Sequence, residues 1–322
     1  MHGRTMPNAL IVIAMPEPMR RQYFDHIRSA FPQLTLNMVA RHTEVDPYIA
    51  DAEVLITFGA HVANHVFEKA KRLKWVQALG TGVDGIIDQP GLRKDVLVTN
   101  VRGFHGGPVS EAALMGMLSL ARELPRSLRC QAQHRWERFP ARMLKGTTVG
   151  ILGIGAISEE LAPKCKALGM TVVGVSSSKR QVAGFDAVYG RDELAHAVKE
   201  VDYLVILTPL TPETRNIVDA GILAAMKPTS FLVNLARGGV VDEPALIAAL
   251  RNKAIAGAAL DVFAKEPLPE DSPLWDLDNV IITTHQAGSF DDYPKFALPM
   301  VEHNLHKWLA GDIESMINVV KR

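Results

Sequence analysis

The chain of 322 residues is poor in cysteine, in aromatic side chains and in net charge, and each shortage excludes a class of protein. Its two cysteines, Cys130 and Cys165, stand far apart and in no C-x-x-C spacing. That argues against a disulfide framework or a thiolate metal site, and two reduced, buried thiols are expected. Aromatic residues make up 6% and the basic residues are scattered, so the basic, aromatic-studded run that single-stranded nucleic acid requires is missing. Lys plus Arg number 35 and Asp plus Glu 35, a formal net charge of zero, which argues against a general polyanion binder. Nucleic acid is therefore not an expected partner.

Long apolar runs are scarce too. The stretch 109–120 is interrupted by Ser110, Glu111 and Ser119 and is too short to span a bilayer, so no membrane partner is expected. The opening MHGRTMPNALIVIAM runs straight into a strand-like segment without a cleavage site, and the expected address is cytoplasmic. There is no G-x-S-x-G elbow, no Walker loop and no fixed-period repeat. His61 and His65, or His303 and His306, are spaced to share a metal on a helix, but neither pair has a convincing third ligand; no metal is expected.

What is present is an alternation of short apolar runs and amphipathic segments. In the first third, strands are expected at 9–15, 34–39, 54–58 and 75–79, with helices at 17–31 and 61–73. The middle repeats the rhythm: strands at 147–152, 171–175, 203–207, 231–235, 257–260 and 280–283, with helices at 156–168 and 243–251. Val-, Ile- and Leu-rich strands interleaved with helices imply parallel sheets covered on both faces. The middle succession is that of a six-stranded doubly wound sheet. Pro163 falls inside one expected helix, where it would remove a hydrogen bond and kink the chain. The apolar pattern at 109–134, interrupted by Pro125, needs cover from more than one side, for which a second copy of the chain is a candidate. A last helix at 294–309 follows the middle region. The α/β fold class is thus two doubly wound parallel-sheet domains, the second inserted in the first if this tail packs back on the N-terminal unit.

The segment GILGIGAIS, from Gly150 to Ser158, is nearly a dinucleotide fingerprint. Gly153 permits a tight turn and Gly155 lets backbone approach a pyrophosphate at the N-terminus of the helix opened by Ala156 and Ile157. The third glycine position, which serves helix–strand packing, is Ser158. About twenty residues on, where an acid would hold the adenosine ribose, the chain has Ser176 followed by Ser177, Ser178, Lys179 and Arg180. An acid repels a 2′-phosphate, whereas hydroxyls and cations can grip one, so NADP(H) is favoured and NAD(H) is the alternative. Lys179 and Arg180 also read simply as a solvated turn.

Three segments fall at the C-terminal ends of the later strands, where an open α/β sheet binds ligands: NLARGG with Arg237, DVFAKEP with Glu266 and TTHQAG with His285. Singly, these are a loop cation, a solvated acid and a strand-end histidine. Jointly, behind a dinucleotide loop, they are what hydride transfer to a 2-keto acid needs. A guanidinium holds the carboxylate and polarises the carbonyl, an imidazolium supplies the proton, and a carboxylate orients that imidazole and favours its charged form.

With these motifs the chain resembles the D-isomer-specific 2-hydroxyacid dehydrogenases over nearly its whole length. The segments WVQALGTGVDGI (75–86), TNVRGFHGGPVSE (99–111), TVGILGIGAI, LTPLTPETRNIV (207–218), NLARGGVVDEPAL, GAALDVFAKEPL and TTHQAG carry the likeness. The resemblance implies that His285 is the acid/base, Glu266 its partner and Arg237 the substrate clamp. Backbone amides around Thr81 and Gly82 would bind the substrate carboxylate. Thr208, Pro209 and Thr214 would line the cofactor path, with Ala236, Asp261, His285 and Ala287 near the nicotinamide and Asp261 bonding its carboxamide. It implies a Rossmann cofactor domain at 101–290 inserted in a flavodoxin-like substrate domain at 1–100 plus 291–322, an active site in the cleft between them, and a homodimer. Glu266 argues against the formate dehydrogenase branch, which pairs its histidine with glutamine. Gln286 stands where the family often has an apolar residue. The substrate implied is a short 2-keto acid of the glyoxylate or hydroxypyruvate type, reduced to the D-2-hydroxy acid. A D-lactate or phosphoglycerate dehydrogenase, or a dinucleotide-sensing protein resembling a co-repressor, are the alternatives. Trp136 is expected to anchor an interface.

Overall fold

A computed structural model describes residues 6–178 and 180–322 and divides them into two compact units. The first comprises the chain up to Phe104 together with Phe290–Arg322, and the second is His105–Ser289. The C-terminal segment thus returns to the N-terminal unit, and the second unit is an insertion in the first.

The first unit is built on five parallel strands: β1 (Asn8–Val12), β2 (Thr35–Val39), β3 (Val54–Thr57), β4 (Trp75–Ala78) and β5 (Leu97–Thr99). Their order is β2-β1-β3-β4-β5, the flavodoxin arrangement. Because side chains alternate across a strand, Ala9, Ile11, Val54, Ile56 and Trp75 face one layer, where the helix Glu17–Ala30 and the returning helix Tyr293–Ala310 supply Tyr23, Ile27, Val301 and Leu305. Leu10, Val12, Leu55 and Val76 face the other layer. The C-terminal helix is fastened by polar bonds as well as by packing. Asn304 Nδ2 donates to Gln77 Oε1 at 3.0 Å, and that oxygen also accepts from Thr99 Oγ1, which accepts from Trp75 Nε1. Every member of the chain is buried and bonded, which makes it a satisfied network.

The second unit carries β6 (Thr148–Leu152), β7 (Thr171–Ser176), β8 (Ala187–Gly190), β9 (Tyr203–Ile206), β10 (Phe231–Asn234), β11 (Gly257–Leu260) and β12 (Val280–Ile282). All pairings are parallel, in the order β12-β11-β10-β9-β6-β7-β8, with the order reversing between β6 and β9. The sheet therefore has seven strands and not the six expected. The additional strand, β8, is a four-residue edge with only Gly190 buried, so it lacks the apolar run that marks the central strands. The three-residue β5 escaped notice for the same reason. The helix expected at 61–73 is only Asn64–Lys69: Ala63 enters it extended and Ala70 leaves it, while Ala70 and Leu73 are buried without being helical.

The apolar pattern at 109–134 resolves into two helices, Gly106–Ala121 and Leu124–Ala132, broken where Glu123 takes a left-handed backbone and Pro125 enters the second helix's first turn. The helix Ala156–Ala167 continues through Pro163, so the proline does not end it. Among the described residues, no helix is long and apolar enough to cross a membrane.

Candidate active site

Parallel pairing brings the C-terminal ends of β10, β11 and β12 to one edge of the second unit's sheet, and three loops leave from there. The loop after β10 carries Arg237. Asn234, its last strand residue, folds this loop back: Oδ1 accepts the Ala236 amide at 3.1 Å and Nδ2 donates to the Arg237 carbonyl at 3.1 Å. The Arg237 guanidinium in turn donates to the Ala236 carbonyl at 2.6 Å. Gly238 lies against the Phe263 carbonyl so closely that any β-carbon would collide with it. That contact is why glycine follows the arginine, and it presses the Arg237 loop onto the loop that carries Glu266.

Glu266 has both oxygens engaged. Oε1 accepts the Phe263 amide at 3.0 Å, and Oε2 lies 2.7 Å from His285 Nδ1. Burial alone would raise its pKa, but the bonds from His285 and the Phe263 amide, with the nearby Arg237 charge, outweigh that and hold the carboxyl below its ordinary value of 4.5. The pair is only partly shielded, with side-chain exposures of 48% for His285 and 34% for Glu266, so the imidazole is held yet reachable. With Nδ1 turned to the carboxylate, Nε2 is the nitrogen left to exchange a proton.

His285 itself has φ +51°, unusual for a residue other than glycine. Its amide donates to the Asp261 carbonyl at 2.7 Å. Asp261, expected beside the nicotinamide, is 1% exposed, and its carboxylate accepts from Thr283 Oγ1 and from the amides of Gln286 and Ala287. Ala236 and Ala287 are also buried at these loop bases.

The residues after β6 fit a dinucleotide. Gly153 has φ +106°, and a β-carbon on it would lie 2.6 Å from the Thr208 amide nitrogen, so only glycine allows β6 to turn beside the end of β9. At Gly155 a β-carbon would meet nothing within 4 Å, which leaves bare backbone facing open space at the start of the twelve-residue helix Ala156–Ala167. Ala156 is exposed and Ile157 half-buried. Ser158 is buried, and its hydroxyl both accepts the Gly155 amide and donates to the Gly155 carbonyl, each at 2.8 Å. The serine that breaks the glycine fingerprint thus closes the turn.

Ser176 ends β7 with its hydroxyl donating to the Ser178 carbonyl at 2.6 Å and accepting the Ser178 amide at 3.2 Å. Ser177 is exposed, and Lys179 lies outside the described residues. Arg180 lines a cavity of about 480 Å³ with Glu159, Gln181, Val182 and Ala183. Thr208 is buried and Pro209 exposed, while Thr214 is buried and donates its hydroxyl to the Pro209 carbonyl at 2.7 Å, bracing that turn. Thr81 and Gly82 belong to the first unit, beyond the end of β4. There Thr81 Oγ1 donates to the Val101 carbonyl, Asn100 Nδ2 donates to the Thr81 carbonyl at 2.6 Å, and Tyr293 donates to the Leu79 carbonyl.

The side chains that brace the site, Asn234, Ser158 and Thr283, were not foreseen. Two had a local signal: Asn234 opens a turn at a strand end, and Ser158 stands three residues into a helix from Gly155. Among the described residues, no group of three or more His, Cys, Asp or Glu side chains is arranged to hold a metal ion.

Comparison with known proteins agrees with this arrangement. Residues 114–287 match the NAD binding domain of the D-isomer specific 2-hydroxyacid dehydrogenases, and residues 11–184 match the catalytic domain of the same family. The chain is 37% identical over 276 residues to a D-3-phosphoglycerate dehydrogenase of Methanocaldococcus jannaschii, covering 84% of this chain and 52% of that one. It is 30% identical to a glyoxylate reductase of Pyrococcus furiosus, covering 89% and 92%. The crystal structure of an NADPH-dependent glyoxylate/hydroxypyruvate reductase from Sinorhizobium meliloti, in complex with NADP and sulfate, superposes with a TM-score of 0.82 at 29% identity, covering 98% of both chains. The chain spans about half the length of the phosphoglycerate dehydrogenases it matches.

Proposed function

The chain belongs to the D-isomer-specific 2-hydroxyacid dehydrogenase family, and from that premise we propose that it reduces a short 2-keto acid to the D-2-hydroxy acid at the expense of NADPH. The observation that carries the proposal is the 2.7 Å pair of His285 and Glu266, set beside the Arg237 loop at the strand ends of a dinucleotide-type sheet. Reduced nicotinamide, when bound, would supply the hydride for the substrate carbonyl. Arg237 holds the substrate carboxylate and polarises the carbonyl through paired N–H donors. His285 gives its Nε2 proton to the carbonyl oxygen as that oxygen becomes a hydroxyl, and Glu266 stabilises the imidazolium beforehand and keeps its plane fixed. In the reverse direction the same imidazole takes the hydroxyl proton.

Glyoxylate or hydroxypyruvate is preferred over a phosphorylated keto acid because the sequence around Thr81 offers no basic cluster to hold a phosphate. The glyoxylate reductases also align over nine-tenths of their own length. NADPH oxidation measured against glyoxylate, hydroxypyruvate and phosphohydroxypyruvate tests this; turnover confined to the phosphorylated acid would overturn the substrate assignment.

Glu266→Gln keeps the shape of the pair and removes its charge. The imidazole then loses the anion that orients it, and kcat for reduction is expected to fall by about tenfold or more. Since the Glu266 carboxyl itself lies below its ordinary range, that anion is present across neutral pH. A kcat unchanged in the variant would remove Glu266 from this role.

The preference for NADP(H) rests on a β7 that ends in Ser176 without a carboxylate, and on Arg180 four residues further along the chain. Ser176→Asp is expected to lower the ratio of kcat/KM for NADPH over NADH by about tenfold or more, through repulsion of the 2′-phosphate. An unchanged ratio would contradict the assignment. A homodimer is part of the same proposal. Met115 and Leu118 on the helix Gly106–Ala121, Leu124 and Leu128 on the next helix, and Trp136 at 89% exposure offer apolar surface to a second copy. Sedimentation as a dimer is expected, and sedimentation as a monomer would contradict it.

A further inference from the structure

Asp261 is the first residue after β11, and it is bonded to the histidine turn through both its carboxylate and its carbonyl. Oδ1 accepts the Thr283 hydroxyl at 2.5 Å and the Gln286 amide at 2.9 Å, Oδ2 accepts the Ala287 amide at 2.9 Å, and the Asp261 carbonyl accepts the His285 amide at 2.7 Å. Four bonds from one residue therefore reach four of the five residues 283–287, on both sides of the imidazole. Three of the carboxylate's roughly four acceptor sites are filled by protein groups, and the side chain is 1% exposed.

Two consequences follow from this placement. His285 has φ +51°, uncommon for a residue other than glycine, and the turn that holds it there is bonded on both sides to Asp261. Asp261 also begins the short loop that ends on Glu266, so one residue is tied to both sides of the 2.7 Å imidazole–carboxylate bond. We propose that Asp261 is the positioning residue of this site, a buckle between the loop carrying Glu266 and the turn carrying His285, and that its carboxylate serves the acid/base pair by fixing where the imidazole stands. The inference rests on the proposed function, since only there is His285 a reacting group. It gives Asp261 a task separate from bonding the nicotinamide carboxamide.

Asp261→Asn tests it. The amide NH2 must face either the Ala287 N–H or the Gln286 N–H and Thr283 hydroxyl, so at least one buried donor loses its acceptor and the turn is released. The expected result is a kcat reduced by about 10- to 100-fold, as for a misplaced reacting group, with the Kd for NADPH within about threefold of the parent. The second readout needs no substrate. The His285 Nδ1 proton bonded to Glu266 is expected as a downfield NMR resonance, assigned by its loss in His285→Ala, and it should vanish in Asp261→Asn. Thr283→Val removes one of the three carboxylate bonds and serves if the first variant does not fold; a broadened resonance and a several-fold lower kcat are expected there. An unchanged kcat with a much weakened NADPH affinity would overturn the proposal in favour of a cofactor contact. A lowered kcat with the resonance intact would overturn it in favour of a general structural role. If the parent protein reduces no 2-keto acid, the proposed function fails while the resonance still decides whether Asp261 fixes the imidazole.

Discussion

Replacing His285 by alanine is expected to lower kcat for keto-acid reduction by about three orders of magnitude, with the Kd for NADPH nearly unchanged. The imidazole is the group on these loops that can deliver a proton near neutral pH, and Glu266 has both of its oxygens engaged, with the Phe263 amide and with His285. Water entering in place of the ring would be an unpositioned donor of far weaker acidity. The dinucleotide loop at Gly153–Ser158 makes no use of His285, so affinity for the cofactor should survive. Fluorescence titration with NADPH alongside steady-state turnover separates the two quantities, and turnover within tenfold of the parent would remove the acid/base assignment.

Arg237→Lys is expected to lower kcat/KM for the keto acid by about 10²- to 10³-fold, although the charge is kept. The guanidinium presents several donors in a planar fork, a shape that suits a carboxylate and a carbonyl held together. An ammonium at the end of a flexible stem supplies one point charge and cannot do both. The loss should fall on kcat as well as on KM, because polarisation of the carbonyl grows as negative charge develops on its oxygen. A change confined to KM would reduce Arg237 to a simple anchor for the carboxylate.

The sheets were legible in the sequence because their central strands are unbroken apolar runs, such as Ala9–Ile13 or Phe231–Val233, that can only be buried. β5 and β8 were not, because a three-residue strand and a half-exposed edge carry too few apolar side chains to stand out. The segment 61–73 misled for the opposite reason: Ala70 and Leu73 are buried at spacings that mimic a helix, yet only six residues are helical. Arg237, Glu266 and His285 could be picked out because their chemistry is scarce at strand ends. Ser158 was noted only as a departure from the glycine fingerprint, and Asn234 and Thr283 not at all, since a polar residue that braces a loop looks ordinary until the loop it braces is seen. Asp261 shows the same limit. Its place at a strand end was legible, but the bonds that occupy it come from residues more than twenty positions away.

The most direct measurement mixes the NADPH-saturated protein with excess glyoxylate or hydroxypyruvate and follows the reduced-nicotinamide absorbance, with His285→Ala run beside it. The predicted result is loss of that absorbance with formation of glycolate or D-glycerate in equal amount, and no comparable loss in the variant. Tight NADPH binding with no oxidation by any short 2-keto acid would contradict the account and mark the protein as a dinucleotide-responsive binder.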